Sequence, residues 1–344
     1  MRRLRALGAH LFAMAAALAL GAGLAYATAE PSSAVEPSRA SARVARSVGP
    51  PPLDLPPAPP RPVPEPLLPA PLQPVGERLR DGRVITGRTA HRLILFTFDD
   101  GPELTETPRL LDLLEQHGAK AVFFLTASRL QGRSDGARQA RAIAREIARR
   151  GHLVGNHTVD HVQLPLQDDA GVARQVQGAE ATFVEVLGER TWLLRPPGGA
   201  RSPRVDRLLA SWGYTQILWN LGTGDTQVFD ADEIFRTWRR VLARRERESG
   251  DRGGIVLLHD LHRWSVDAFV RIAEHLEAEN CRLLEEGEEL WEILDDPSVF
   301  FRPRRVGPSQ EAPVVRFTPE ELEARQAPLR ARTRLRCQGV ARAD

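Results

Sequence analysis

Six consecutive residues, Leu93-Ile94-Leu95-Phe96-Thr97-Phe98, run almost without polar interruption into Asp99-Asp100-Gly101-Pro102. A run this short and this apolar predicts a strand covered on both faces, the situation of a parallel sheet layered with helices. The Gly-Pro pair stops it. Successive strand residues point to opposite faces, so Asp99 and Asp100 need not share one task. The carboxyl ends of buried strands are also where α/β sheets place their chemistry. Taken alone, the acidic pair reads equally well as a helix cap with a solvated neighbour.

From Arg83 onward, strand-like and helix-like stretches alternate. Strands are predicted at Leu93–Phe98, Ala121–Leu125, His152–Gly155, Trp192–Leu194, Thr215–Leu218 and Ile255–Leu258, with a closing segment near Cys281–Leu284. Between them, Thr107–Gln116, Ala137–Arg150, Ala170–Leu187, Pro203–Trp212, Ala231–Arg245 and Val266–Ala278 show helical spacing of apolar residues. Gly151 sits where a helix commonly terminates. Repeated strand–helix pairs imply an α/β fold with a mostly parallel sheet, closed or nearly closed. About seven strands in place of eight make it a distorted (β/α) barrel.

The alternating region accounts for only part of the 344 residues. Arg2, Arg3 and Arg5 precede an apolar run from Leu11 to Leu24, and Ala25-Tyr26-Ala27 offers a small-x-small cleavage site. Residues 1–29 therefore read as a signal peptide and the protein as exported, to the periplasm, the cell envelope or the medium. An uncleaved membrane tether is the alternative. Residues 30–83 are Ala-, Ser- and Arg-rich and then heavily Pro-rich, a composition that predicts an extended, disordered spacer. Residues 84–295 form the expected catalytic domain, and 296–344 an Arg- and Pro-rich extension in which Pro319-Glu320-Glu321 opens a short helix. Lys+Arg 47 against Asp+Glu 45 leaves a net charge of +2, which gives no electrostatic case for nucleic acid. Cys281 and Cys337 are the two cysteines, and in an exported chain they predict a disulfide tying the tail to the last strand, against two free thiols.

Three further stretches carry chemistry-bearing residues. In Gly151-His152-Leu153-Val154-Gly155-Asn156-His157-Thr158-Val159-Asp160-His161, His157 and His161 share a side if the backbone turns helical. At that spacing two imidazoles can reach one divalent metal at about 2.0–2.1 Å, although a surface pair is the commoner meaning of His-x-x-x-His. His152, on the strand side, reads as packing. Arg195-Pro196-Pro197-Gly198-Gly199 combines a guanidinium able to hold a carboxylate with glycines that let a ligand approach backbone N–H groups. Ile255-Val256-Leu257-Leu258-His259-Asp260 is a buried strand ending in a histidine, either a general acid or a satisfied core residue.

Together, and in this order, Thr-Phe-Asp-Asp-Gly-Pro, Gly-His-x-x-Gly-Asn-His-Thr-x-x-His, Arg-Pro-Pro-x-Gly and Leu-Leu-His-Asp resemble the motifs of the polysaccharide deacetylases. This carbohydrate esterase family includes chitin, peptidoglycan N-acetylglucosamine and acetylxylan deacetylases. The resemblance covers residues 84 to about 295. It implies that Asp100, His157 and His161 bind a divalent metal, zinc ahead of cobalt, nickel or manganese. It implies that Asp99 is the base taking a proton from a metal-activated water, oriented by Arg195, and that His259 protonates the leaving amine, tuned by Asp225. The Gly198 N–H would stabilise the oxyanion, and Leu257 would line the pocket for the acetyl methyl. The implied partner is an acetylated polysaccharide or oligosaccharide.

Two departures bear on specificity. In the stretch resembling the Asp-x-x-Asp-Trp motif, Gly222 replaces the first Asp and Thr226 the Trp, while Asp225 is kept. Gly198 stands where the family often has an aromatic residue. The implied activity is therefore hydrolysis of N-acetyl groups on amino sugars of a peptidoglycan- or chitin-like polymer. The alternatives are O-acetyl ester hydrolysis, as on xylan, and a catalytically impaired glycan-binding domain. Two histidines and a carboxylate also describe a non-heme iron oxygenase, against which Asp99, His259 and the strand–helix alternation argue.

Overall fold

The computed structural model describes residues 81–301 and 307–340. The expected signal peptide, nearly all of the Pro-rich spacer and the basic run at 302–306 lie outside the described residues.

Among the described residues, nine parallel strands form one sheet: β1 (Val84–Ile85), β2 (Leu93–Asp99), β3 (Val122–Leu125), β4 (Leu153–Asn156), β5 (Leu193–Leu194), β6 (Thr215–Ile217), β7 (Leu221–Gly222), β8 (Gly254–His259) and β9 (Glu292–Ile293). Their order is β1-β6-β5-β4-β3-β2-β8-β7, with β9 paired to the start of β2. The two ends of this order, β1 and β7, do not pair. Buried Asn220, just before β7, fastens that end to β8: its side chain donates to the Gly253 carbonyl (3.0 Å) and accepts from Ile255 N–H (2.9 Å). The result is the distorted barrel expected from the alternation.

Helices fill the crossovers: α1 (Glu106–Gln116), α2 (Asp135–Arg149), α3 (Asp169–Leu187), α4 (Pro203–Ser211), α5 (Ala231–Ser249) and α6 (Arg263–Glu285). Their starts follow the sequence chemistry. The side chains of Ser134, Asp168, Ser202 and Asp230 accept the N–H three residues on, at 3.1, 2.7, 3.3 and 2.8 Å. Left-handed Gly188 and Gly250 end α3 and α5.

β2 shows how the site is aimed. Ile94, Phe96 and Phe98 pack outward with the helices, whereas Leu93 and Leu95 join the second cluster inside the barrel with Val122, Phe124, Ile217 and Ile255. Alternation then puts Thr97 and Asp99 on the inner face, while Asp100, one residue past the strand and left-handed (φ 73°), leaves the alternation and joins Asp99 beside His157.

The chain end departs from expectation. Cys281–Leu284 is not a strand but the last turns of α6; Leu276, Asn280 and Leu283 are buried along one helical stripe. The closing strand is β9. After it, Val299, Phe300 and Phe301 enter the inner cluster together with Val315, so this part of the extension plugs the barrel where β2 begins. The helix opened by Pro319 is long, α7 (Pro319–Val340). Cys281 and Cys337 are joined, as expected, but the bond ties α7 to helix α6 in place of a strand.

Candidate metal centre

All nine residues singled out in the sequence lie at or just beyond the carboxyl ends of the parallel strands. Asp99 and Asp100 end β2, His157 and His161 follow β4, Arg195 and Gly198 follow β5, Asp225 follows β7, and Leu257 and His259 belong to β8. Register makes them neighbours, since Asp99 pairs with His259 across β2 and β8.

Asp100, His157 and His161 each offer a ligand atom, and these atoms lie within 4.8 Å of one another. Asp100 Oδ1 is 3.4 Å from His157 Nε2 and 3.3 Å from His161 Nε2. His157 Nδ1 lies 2.7 Å from the Arg195 carbonyl, which can only accept, so Nδ1 carries a proton and, in the neutral tautomer that a metal requires, Nε2 offers its lone pair toward Asp100. Asp100 Oδ1 is buried and has no hydrogen-bond partner among the described residues. Acceptor lone pairs converging on a buried, unpartnered carboxylate oxygen repel unless a cation lies among them, so the donor set fits a divalent metal with open positions. Burial pushes the His161 imidazole below its ordinary pKa, with Asp100 opposing, which favours the neutral form that ligates.

The segment from His157 to His161 is not helical. Thr158 (φ 70°) and His161 (φ 56°) are left-handed, as is Asp100 (φ 73°). Side chains carrying a Cβ rarely adopt this region, and a β-branched Thr least of all. Asn156 holds the turn: its Oδ1 accepts Thr158 N–H (2.8 Å) and its Nδ2 donates to the Val176 carbonyl (3.0 Å). Strain held by a buried amide brings the histidines to one side where a helix was expected.

Asp99 is buried beside this cluster. Its Oδ1 accepts from Arg195 Nη1 (2.7 Å), and its Oδ2 lies 3.7 Å from His157 Nε2. Arg195 is wholly enclosed, donating also to Thr97 Oγ1 (2.8 Å) and the Ile217 and Leu218 carbonyls (2.9 and 3.2 Å), and its guanidinium lies 4.2 Å from the Phe124 ring centre. Four of its five N–H donors are taken in this way, so it is held in place, fixing one oxygen of Asp99 and leaving the other free.

Opposite stands His259, whose Nε2 is 4.0 Å from Asp100 Oδ2. Asp225 holds it at two points: Oδ1 accepts from Nδ1 (3.0 Å) and Oδ2 from the His259 N–H (2.7 Å). Burial alone would lower this imidazole, but the Asp225 bond and charge, with Asp99 and Asp100, raise it to about 9. Leu257 is half-buried two residues earlier on the same face of β8. Gly198 lies in a short 3-10 turn at φ 62°, and a Cβ there would meet nothing within 4 Å.

Other residues of the site had no role assigned from sequence. Thr97 donates to the Val256 carbonyl (2.7 Å), which turns its lone pairs to Arg195; its signal was being the one polar residue inside an apolar strand. Ser265 donates to Asp225 Oδ2 (2.7 Å), and nothing in its spacing announced it. Trp219 lies against Gly199, where a Cβ would come within 2.9 Å of the indole. Asp260, wholly buried, bonds Thr107 and packs so closely on Gly101 that a Cβ there would lie 2.3 Å from its carboxylate.

Residues 86–217 match the family model described as polysaccharide deacetylase. A chitin deacetylase of Pestalotiopsis sp. is 32% identical over 195 residues, 56% of this chain and 61% of that protein, so under two thirds of its length is spanned. A peptidoglycan-N-acetylglucosamine deacetylase of Bacillus cereus is 31% identical over 169 residues, 49% of this chain and 73% of that one. Among solved structures, the chitin deacetylase of the fungal pathogen Colletotrichum lindemuthianum aligns with a TM-score of 0.48 at 26% identity, covering 56% of this chain and 87% of that one.

Proposed function

The chain belongs to the polysaccharide deacetylase family, and from that premise we propose that it hydrolyses N-acetyl groups on the amino sugars of a peptidoglycan- or chitin-like polymer. The observation that carries this reading is one of placement. A carboxylate with one oxygen free, Asp99, and a charged imidazole, His259, flank the Asp100–His157–His161 cluster from two sides. Amide hydrolysis needs that pairing, a base for the attacking water and an acid for the departing nitrogen.

A divalent metal held by Asp100, His157 and His161, which we take to be zinc, would supply a water of lowered pKa and polarise the acetyl carbonyl. The chain's own groups do the rest. Asp99 Oδ2 takes a proton from the attacking water while Arg195 keeps Oδ1 in place. The Gly198 N–H offers the developing oxyanion a donor. His259 gives its Nε2 proton to the sugar nitrogen as the C–N bond breaks, leaving acetate and a free amine, and Asp225 stabilises the charge it carries until then. Leu257 borders the space for the acetyl methyl. We place this chemistry in residues 84–295, exported by way of residues 1–29 and held out by the Pro-rich spacer.

Acetate release on chitooligosaccharides, peptidoglycan and acetylxylan tests the reading. Zinc-loaded protein should release acetate from one or both N-acetylated polymers, chelator should abolish it, and Asp99→Asn should lower kcat by about 10²-fold or more. Release from acetylxylan alone, or undiminished release by Asp99→Asn, would overturn it.

A further inference from the structure

Where the resembled motif has Trp, this chain has an exposed Thr226. The structure brings a different indole to the same neighbourhood. Trp264, in the first turn of α6, donates its Nε1–H to the Asp225 carbonyl at 3.2 Å. His262 stacks on the Trp264 ring (centroids 4.4 Å, planes 16° apart), and Phe229 meets it edge-on (5.3 Å, 76°). Phe229 is 69% exposed, and with Trp264 and His262 it makes a cluster of rings at the surface beside Asp225.

These rings are held in place. Phe229 lies between Val228, packed on the core, and Asp230, whose side chain caps α5. The preceding turn is closed by Gln227 and Val228 N–H groups bonded to the Gly224 carbonyl (2.9 and 3.0 Å). His262 occupies the N-cap of α6 yet makes no side-chain cap bond there, its ring lying on Trp264 instead. The chain thus holds an exposed apolar ring in place from both sides, with Trp264 meeting one edge of it. Continuity with the candidate site supplies the reason: Trp264 touches Asp225, Asp225 holds His259, and His259 faces Asp100.

We propose that Phe229, Trp264 and His262 form a stacking subsite for a pyranose ring of the glycan, next along the chain from the sugar that loses its acetyl group. This rests on the deacetylase reading and adds to it a requirement for an oligomeric substrate. Aromatic faces carry the negative side of the ring quadrupole and pair with the C–H face of a sugar. Thr226 and Gln227, exposed on the adjoining turn, offer a hydroxyl and an amide to its hydroxyl groups. Sites that orient a ligand combine apolar walls with a few polar groups in this way.

Phe229→Ala tests the subsite, since an exposed side chain that touches none of His259, Asp225 or the metal cluster is dispensable for folding. On zinc-loaded full-length protein, the KM for chitotetraose should rise about tenfold, the factor that 1.4 kcal/mol supplies. Its kcat for chitotetraose, and the weak acetate release from monomeric N-acetylglucosamine, which cannot reach the subsite, should stay unchanged. Tryptophan fluorescence of chelator-treated protein should be quenched by chitotetraose, and less so in the variant. An unchanged KM for chitotetraose overturns the proposal, as does a variant that loses only self-association. If the wild-type protein releases no acetate, the deacetylase reading fails. The fluorescence titration then decides the subsite alone: binding weakened in the variant supports it, and equal binding or none overturns it.

Discussion

The Asp225 carboxylate accepts from the His259 ring, the His259 main chain and the Ser265 hydroxyl while almost fully enclosed. Its hydrogen bond and charge, with those of Asp99 and Asp100, raise His259 to about 9 against the effect of burial. A cation beside Asp100 acts the other way, so the value governing activity lies lower. The sign of the expected pH effect follows. His259 works protonated, so activity falls as pH rises through its pKa. Asp225→Asn keeps the shape and removes the charge, so the alkaline limb of the kcat profile should move to lower pH and kcat should drop by about 10²-fold. A limb that stays in place would show that another group sets it. Asp225 was legible because it kept one position of a motif whose first and last residues have changed. Ser265 was not, because a serine one turn into a helix carries no spacing signal and acquires its meaning only when two crossovers meet.

At the scale of elements, legibility followed length. β2, β3, β4, β5, β6 and β8 were each read to within a residue or so, since buried apolar runs bounded by glycine or by helical spacing have few other meanings. β1 and β7 are two residues long and, unlike the equally short β5, which continues the apolar run Trp192-Leu193-Leu194, leave no run to read. The Cys281–Leu284 segment misled because two leucines after a cysteine look the same in a strand as at the end of a helix, and only the stripe running back to Leu276 tells them apart. The β3–β4 pair also carries a titration. His152, between left-handed Gly151 and β4, accepts the Ala121 N–H at Nδ1 (3.1 Å), a bond that needs neutral Nδ1. Burial first, then the charges of Lys120 and Arg150, lower it from 6.5 to about 3. With the folded value depressed, the unfolded chain binds the proton more readily between those limits. Its stabilising share is thus present above pH 6.5 and lost as pH falls toward 3. His152→Gln keeps an acceptor without the titration. Denaturation midpoints should therefore fall less steeply with acid in the variant, by on the order of 1 kcal/mol per pH unit. Parallel slopes would place the acid sensitivity in other groups.

Across the whole molecule, the two ends of the barrel have separate supports. The candidate site stands where β2 ends, at Asp99, while the C-terminal extension attaches where β2 begins. β9 pairs with Leu93 and Ile94, Arg325 of α7 reaches the β9 residue Glu292, and Gln326 bonds both the N–H and the carbonyl of Leu290 (2.8 and 3.2 Å). Six residues of strand separate the two ends, about 20 Å. What α7 does for stability should therefore be separable from what the site does for chemistry. The disulfide closes a span of 56 residues, for which the chain-entropy view gives up to about 4 kcal/mol. The helix it secures has Pro328 within it and few apolar side chains to hold it otherwise. Cys337→Ser should thus lower Tm and speed hydrogen exchange first in α7 and the adjoining turns of α6, with Km and kcat for acetate release unchanged at temperatures below the transition. Exchange that rises equally in β2 and β8 would mean that the barrel and α7 open as one unit. A loss of activity before any loss of structure would mean that the plug reaches the site through the inner cluster of Leu95, Phe124 and Ile217, on which Arg195 rests by way of Phe124.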